Sequence, residues 1–593
     1  MNRLSILNNK FTKLSGNLRL WRKLFERTYA IGWAIAPLVI IAGLWLWQVL
    51  GQFAIGLIGQ SSSFTVWSLW WLQRAIWLNY DWMITDYVAT PFQQNLLLFL
   101  SPIGSLIYAG LRGLQFNAPL AFNLLYVIAI LFTGWSMFAY LGYCQVPRFW
   151  ASFCAVLWAF SPVMTYQLFQ GRPDLMALGW IPLGCWAWDV MRTTPHPNRL
   201  GWRLALIGLG AIFTSVQLAI SALVVWLPYI AIGLFRSVPG DRRWLFNSVL
   251  WQTLVVLAVI MVYPLPGILK TWASLAPESQ AITLPAGIWQ WSAGIILMVI
   301  LWGGLMGLVG LNWRMVTSNR ISSGTLIEPI NEVLSWASIT SVTLVLGCVA
   351  ATGWLLDLRS WFTPVDWFAS ASMGWCWLVA VCLPVCWKTK QRQGQAFRVV
   401  LPFIPVGILI LAIVLQPAPP TIPWNDSTAY TAIGQEGGDY AVLEVPFGLK
   451  SLSSEQTLGT GATLQQYAVE HHKRSLSGML TRDGLEVFQH YTDSPLFRLL
   501  AGEPVIPSPE IAADLKKTIQ QEQIGYLVVH PDQLPLAQRT LIFNFLNAQP
   551  QNLCKVFTDS VTVVYRTSWH PFGCTRKLGS LPTAATPVLE AVS

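Results

Sequence analysis

Through most of the chain, polar residues come in short clusters between apolar runs of 15 to 26 residues. A helix needs roughly 20 apolar residues to cross the hydrocarbon core. Runs near or above that length lie at 30–50, 119–142, 149–167, 175–191, 203–217, 219–235, 246–268, 287–312, 334–355, 371–387 and 399–417. The pattern predicts about eleven transmembrane helices. The fifth and sixth runs could form one long helix, but Arg199 and Arg203 precede them and Arg236, Arg242 and Arg243 follow. Basic residues favour the cytoplasmic side, so a hairpin turning at 214–217 is expected instead.

One apolar stretch does not fit as a span. Residues 92–111 are interrupted by Pro102 and Gly104. They are placed in a long first outer loop, 51–118, as helices lying at the interface. In the same loop Trp67, Trp70, Trp71 and Trp77 surround Arg74. Amphipathic rings prefer the headgroup layer, so this segment reads as an interfacial helix. The simplest account of the chain's 33 tryptophans is aromatic belts. The sharper account is that some stack on a sugar or an isoprenoid.

After a Pro-rich linker at 418–423 the pattern changes. Residues 440–445, 524–530 and 561–565 read as strands, being β-branched and aromatic between turn residues. Ser508-Pro509-Glu510 has the chemistry of a helix start, and a helix is expected from there to about Gln523, with another at 533–548. Helices alternating with strands indicate a small α/β domain. The fold class is therefore a polytopic α-helical membrane domain, 30–417, followed by a C-terminal extracytoplasmic α/β domain, 424–593. A basic arm, 1–29, precedes both.

Composition sharpens this division. Only 11% of residues are charged and the mean hydropathy is +0.50, against about a quarter charged in soluble proteins. Residues 1–417 hold 11 acids, and the remaining 176 residues hold 16. The net charge of +10 does not form a nucleic-acid patch, because the basic residues sit in short loops. Loops assigned inside carry 20 Lys and Arg, whereas those assigned outside carry 5: Arg74, Arg112, Arg172, Lys270 and Arg359. This asymmetry puts the N-terminus in the cytoplasm and the C-terminal domain outside, in a plasma (inner) membrane. Seven of nine cysteines lie in the apolar region, and only Cys554 and Cys574 in the outer domain, where pairing is permitted.

Candidate chemistry on the outer face is sparse. The acids there are Asp81, Asp86, Asp174, Glu278 and Asp366. Asp86, just before the turn-forming Pro91, is the favoured catalytic acid, and Asp174 is the second; a solvated loop acid is the plain alternative. Arg172, two residues before Asp174, can bind a lipid phosphate or simply pair with that acid. Arg74 and Arg112 are further phosphate candidates, against snorkelling at the interface. His471-His472 is expected to be solvent-exposed.

A resemblance joins these features. Trp67-Ser-Leu-Trp-Trp71, Thr85-Asp86-Tyr-Val-Ala-Thr-Pro91, Asn95-Leu96, Ser101-Pro102 and Asn123-Leu124 resemble the first outer loop of bacterial polytopic GT-C glycosyltransferases. Further matches are Phe160-Ser161-Pro162, the stretch 171–183, Thr214-Ser215, Val442-Leu-Glu-Val-Pro446, Thr481-Arg482 and Gly525-Tyr-Leu-Val-Val-His530. The resemblance implies a membrane enzyme that takes a sugar from a polyprenyl-phosphate donor and attaches it to a glycan, lipid or protein acceptor outside the cytoplasm. It implies donor-phosphate contacts from Arg172, Arg74 and Arg112 and an outer-domain contact from Arg482. It implies no firm cofactor, and a divalent metal is compatible with it. The family's catalytic acid usually stands a few residues before the tryptophan cluster, yet residues 59–65 (GQSSSFT) hold no carboxylate. Two readings follow: a glycosyltransferase with Asp86 or Asp174 as base, and a non-catalytic relative that binds lipid-linked glycans or scaffolds a partner. A transporter is disfavoured, since no charged residue is expected at mid-membrane in any helix.

Overall fold

The computed structural model describes residues 47–193, 198–236 and 418–573, apart from gaps at 93, 97–98, 425–426, 452–455 and 481–484, with isolated residues elsewhere. The expected spans from 246 to 417, and most of the first, lie outside the described residues. The chain divides into two compact units. In one, the described residues are mainly those from 123 to 236; in the other they are 52–122 and 420–573. The first long loop therefore groups with the C-terminal region.

The loop contains strand β1 (Gly56–Ile58), helix α1 (Ser62–Leu78), the short strands β2 (Ile84–Thr85) and β3 (Gln94–Asn95), and helix α2 (Pro102–Gly113). The expected helix opening at Ser101-Pro102 is present: Ser101 Oγ accepts the Gly104 amide at 3.1 Å and Pro102 takes the first turn. α2 lies on α1 through Ser105, whose hydroxyl donates to the Leu69 carbonyl at 2.9 Å.

Next come helices α3 (Ala118–Tyr143), α4 (Arg148–Ala159), α5 (Pro162–Gln170), α6 (Trp180–Thr193), α7 (Asn198–Thr214) and α8 (Val216–Arg236). Three described segments, Ala118–Tyr143, Arg148–Gln170 and Val216–Phe235, are long and apolar enough to cross a membrane. The expected 149–167 span is divided at Ser161-Pro162, where proline supplies no amide hydrogen. The 175–191 span starts only at Trp180, because residues 172–176 are occupied by tight turns. The hairpin break falls at Ser215, inside the expected 214–217. Helix contacts here depend on glycine facing tryptophan. A Cβ on Gly184 would stand 2.2 Å from the Trp226 ring, one on Gly233 2.5 Å from Trp188, and one on Gly210 2.4 Å from Trp180. Apolar surface gives no drive for association within lipid, so close fit and hydrogen bonds must supply it. The indoles also donate, Trp226 Nε1 to the Ile181 carbonyl and Trp180 Nε1 to Thr214 Oγ1, each at 2.9 Å. For these tryptophans the belt expectation is replaced by a packing role.

The C-terminal region runs β4 (Thr421–Pro423), α9 (Thr428–Gln435), β5 (Ala441–Val445), β6 (Gly448–Ser451), β7 (Thr457–Gly459), a 3-10 segment (Gly461–Tyr467), α10 (Ala468–His471), β8 (Arg474–Ser475), β9 (Gly478–Leu480), α11 (Leu485–Thr492), α12 (Pro495–Leu500), α13 (Pro509–Gln521), β10 (Ile524–Val529), α14 (Leu536–Asn547), β11 (Leu553–Thr558) and β12 (Val563–Thr567). The main sheet has the order β11-β12-β10-β5-β8. β5 pairs in parallel with both β10 and β8, and β12 pairs antiparallel with β10 and β11. Ser508 caps α13 by accepting the Ile511 amide, as its sequence foretold. Cys554 is disulfide-bonded, whereas Cys574 lies outside the described residues.

The loop and this region are interleaved. β1 pairs antiparallel with β4, so part of the expected Pro-rich linker is a strand. Val88 bridges Ser475, extending the main sheet's edge, and the Tyr491 hydroxyl donates to the Thr90 carbonyl at 2.5 Å. Trp67, Trp70 and Trp71 are buried in this unit, and Ser63 on the same helix donates to Met479 Sδ at 3.9 Å. The interfacial expectation for these three gives way to a protein core. Trp77, 87% exposed, is the one of the four that faces outward.

Candidate functional site

Three of the residues singled out in the sequence lie in the first loop. Arg74 projects from the last turns of α1, three residues beyond Trp71 and four beyond Trp70, so all three share one side of the helix. Its guanidinium lies 5.5 Å from the Trp70 ring centre and 5.8 Å from that of Tyr87. Arg74 Nε is buried without a hydrogen-bond partner. Trp71 packs on Tyr87 at 4.7 Å and on Tyr80 at 6.3 Å, which completes an aromatic wall. Burial raises the Tyr87 phenol, an effect that the Arg74 charge partly offsets.

The C-terminal region adds to this cluster. The His472 ring stacks on Trp70 at 5.5 Å and 16°. His471 is fully buried and its ring stacks on Tyr430 at 5.7 Å. The expectation of a solvent-exposed histidine pair is therefore wrong: a local pattern cannot show that α10 packs beside α1. Burial, then the charges of Arg74, Lys473 and Arg112, push the His472 pKa down to about 4. Burial and Arg74 also lower Lys473, whose ammonium donates to the Glu436 and Gly438 carbonyls and lies 4.4 Å from the Tyr440 ring. Arg112 comes within 3.6 Å of Glu470 and donates to the Phe116 carbonyl. The result is a half-buried cationic and aromatic cluster suited to a phosphate next to a sugar ring. Lys473, and a place in the site for His472, are not foreseen in the sequence. Their signal was the run His471-His472-Lys473-Arg474, four imidazole or basic side chains in succession.

Asp86 follows β2 on an exposed bend, and its backbone carbonyl accepts from Thr90 Oγ1 at 2.5 Å. Asp81 caps the same loop by accepting the Met83 and Ile84 amides. Asp174 and Arg172 are both buried between α5 and α6 and bind each other through two contacts, Nε to Oδ1 at 3.0 Å and Nη2 to Oδ2 at 2.8 Å. This is the paired-turn alternative for the two residues. Asp189 is buried and accepts from the Tyr229 hydroxyl at 2.7 Å as well as facing Arg192 at 3.6 Å, so it ties two helices and not only its own turn. Arg482 lies outside the described residues. Among the described residues, no group of three His, Cys, Asp or Glu side chains is arranged to hold a metal.

A second polar centre lies where β5 and β10 end. Glu444 Oε2, His530 Nε2 and the Tyr430 hydroxyl form a triangle with sides of 2.9, 2.8 and 3.1 Å. Burial raises the Glu444 carboxyl, and hydrogen bonds from His530 and Tyr430 offset part of that.

No protein-family model matches the sequence, and no curated protein sequence does so either. Solved structures do match. The cryo-EM structure of the arabinofuranosyltransferase AftD from mycobacteria aligns over 89% of this chain with a TM-score of 0.55 and 14% identity. That alignment covers 40% of AftD, so the chain spans about two fifths of its length. The oligosaccharyltransferase of Archaeoglobus fulgidus aligns over 84% of this chain and 70% of its own, at 12% identity and a TM-score of 0.44. ArnT from Cupriavidus metallidurans covers 91% and 98%, at 13% identity and 0.35. The AftD likeness shows a shared fold.

Proposed function

We propose that this protein is a membrane glycosyltransferase that moves a sugar from a polyprenyl-phosphate donor to a glycan, lipid or protein acceptor outside the cytoplasm. The observation that carries the reading is Arg74: a guanidinium over two aromatic rings with its buried Nε unpaired. A donor phosphate would meet that charge, with Arg112 nearby, while the aromatic wall takes the sugar or the first isoprene unit. Arg172 is a weaker candidate for the phosphate, since Asp174 already engages it through two contacts. Transfer needs a group to take the acceptor's proton. Of the two nominated carboxylates, Asp86 is open to a substrate and Asp174 is buried in its ion pair.

The test is purified protein with radiolabelled polyprenyl-phosphate sugars, scored for transfer or release, with and without chelator to read any metal requirement. Arg74→Ala should weaken donor binding by about 1.5–3 kcal/mol, the worth of a charge-assisted hydrogen bond. Equal donor affinity in parent and variant would remove Arg74 from the site. The missing carboxylate at 59–65 favours a second reading, a non-catalytic binder; saturable donor binding without transfer by the parent would establish it. The proposed orientation predicts that protease outside intact cells removes a C-terminal tag and spares an N-terminal one.

A further inference from the structure

His472 is the side chain of the C-terminal region whose ring stacks on Trp70 beside Arg74. It closes α10 at a φ of 57°, a left-handed conformation in which histidine is several-fold enriched over other side chains. Its imidazole and the Arg74 guanidinium share one indole, that of Trp70, each with a separation of 5.5 Å. Nδ1 is buried without a hydrogen-bond partner, which leaves Nε2 as the nitrogen that an incoming molecule can reach. The ionisable groups acting on the ring are Arg74 and Arg112 from the first loop and Lys473 from its own segment, with His471 coupled to it. Of these, Arg112 is engaged by Glu470 and Lys473 by two backbone carbonyls. Burial and the three cations keep the imidazole neutral at physiological pH, at about the basicity of a carboxylate. A carboxylate is what residues 59–65 lack.

We propose that His472 is the general base of the transfer, taking the acceptor's proton at Nε2. The inference rests on the glycosyltransferase reading above. The acceptor oxygen forms a bond to the anomeric carbon as that carbon's bond to the phosphate oxygen breaks. The bonding pair leaves with the polyprenyl phosphate, and the hydroxyl proton moves to Nε2, from which water later removes it. In the resting site the neighbouring cations oppose an imidazolium. Once the leaving phosphate has gained its second negative charge beside Arg74, that opposition is relieved further, so proton transfer is favoured most as the glycosidic bond to phosphate breaks.

The test compares the parent, His472→Asn and Asp86→Asn in transfer, donor binding and thermal unfolding. Asparagine accepts a left-handed φ, so His472→Asn should melt with the parent. Its turnover should fall by about 10²–10⁴, the usual worth of general-base help, while donor affinity is kept. The parent's turnover should decline on the acid side near the His472 pKa of about 4; that limb should vanish in His472→Asn, and added imidazole should restore part of the rate. Parent-like turnover by His472→Asn would overturn the inference and leave the enzyme reading intact. The same holds if Asp86→Asn loses turnover by that factor and His472→Asn does not. A parent that binds donor but transfers from none would overturn the enzyme reading, and this inference with it.

Discussion

The two units of this protein use tryptophan in the same way and differ in how many ionisable groups they bury with an atom lacking a hydrogen-bond partner. In the helical unit, Trp180, Trp188 and Trp226 fill spaces left by Gly210, Gly233 and Gly184. In the loop-and-C-terminal unit, Trp67 and Trp71 are buried too, stacked on each other at 6.1 Å. Among the described residues, both units bury neutral polar atoms without hydrogen-bond partners, but they differ in the ionisable ones. In the helical unit these atoms include the hydroxyls of Ser161 and Ser215 and the indole of Trp158, and the ionisable side chain with such an atom, Asp189, has its carboxylate held by Tyr229 and Arg192. In the loop-and-C-terminal unit they include the indoles of Trp67 and Trp71 and the Tyr108 hydroxyl, and also Arg74 Nε, His472 Nδ1, Glu444 Oε1 and His530 Nδ1 on ionisable side chains. Leaving such groups unpaired is costly, and a scaffold has no use for that cost. Their concentration in the loop-and-C-terminal unit marks that unit as the place to look for chemistry.

One cluster in the loop-and-C-terminal unit breaks this pattern and supplies the largest expected effect. Arg566 donates to Glu436 at 2.9 Å and to the Tyr526 hydroxyl, and His570 faces the same carboxylate at 3.3 Å. Burial alone would raise the Glu436 carboxyl, but hydrogen bonds from His570 and Tyr526 and the Arg566 charge hold it below its ordinary range. Arg566→Met should strand the carboxylate and destabilise the unit by about 3–5 kcal/mol, read by denaturant unfolding. The sign of the pH effect follows. A depressed carboxylate contributes stability that is complete above the unfolded value of about 4.3 and is lost as pH falls through the folded value. The parent should therefore lose stability in acid, and Arg566→Met should lose less. Equal acid slopes would show that this cluster is not the acid-sensitive part of the unit.

The helical framework is tested next. Gly184→Ala adds one methyl 2.2 Å from Trp226, where neither ring nor backbone can yield cheaply. A loss of about 1–3 kcal/mol is expected from overpacking, measured by thermal unfolding in detergent. Gly142→Ala is the control, with nothing within 4 Å of its added Cβ. Equal effects at the two positions would remove the glycine–tryptophan account of helix packing.

These contrasts also mark what the sequence could reveal. Whatever is encoded within one or two turns was legible: α3 within one residue at each end of 119–142, the break at Ser215, the Ser508 cap, and β5 and β10 as strands. What depends on distant partners was not. Gly56–Ile58 pairs with Thr421–Pro423 more than 360 residues away, and no periodicity announces that. The tryptophan cluster and the histidine pair were misplaced for the same reason, since a side chain's environment depends on which element lies across from it. Strand β12 lies two residues beyond its expected start, and β11 was not foreseen, because its burial is mixed. For the site, Arg74 and Arg112 were nominated from charge and position alone. Their shared neighbour His472 required the fold.

The smallest expected change in stability gives the sharpest separation of the two roles. Arg112 and Glu470 are 3.6 Å apart with side chains 35% and 29% exposed, so the pair is screened by solvent. Such pairs contribute about 0–1 kcal/mol, and Arg112→Ala should shift unfolding by no more than that. If Arg112 also meets the donor phosphate, donor affinity should fall by far more than stability, by the roughly 1.5–3 kcal/mol of a charge-assisted contact. Glu470→Gln sharpens the result. It removes the same ion pair but leaves the guanidinium with one competitor fewer, so donor binding should hold or strengthen. The measurement is a donor titration beside a melt for parent and both variants. Parallel losses of affinity in Arg112→Ala and Glu470→Gln would mean that the pair only positions α2 against α10, and the phosphate contact would then rest on Arg74.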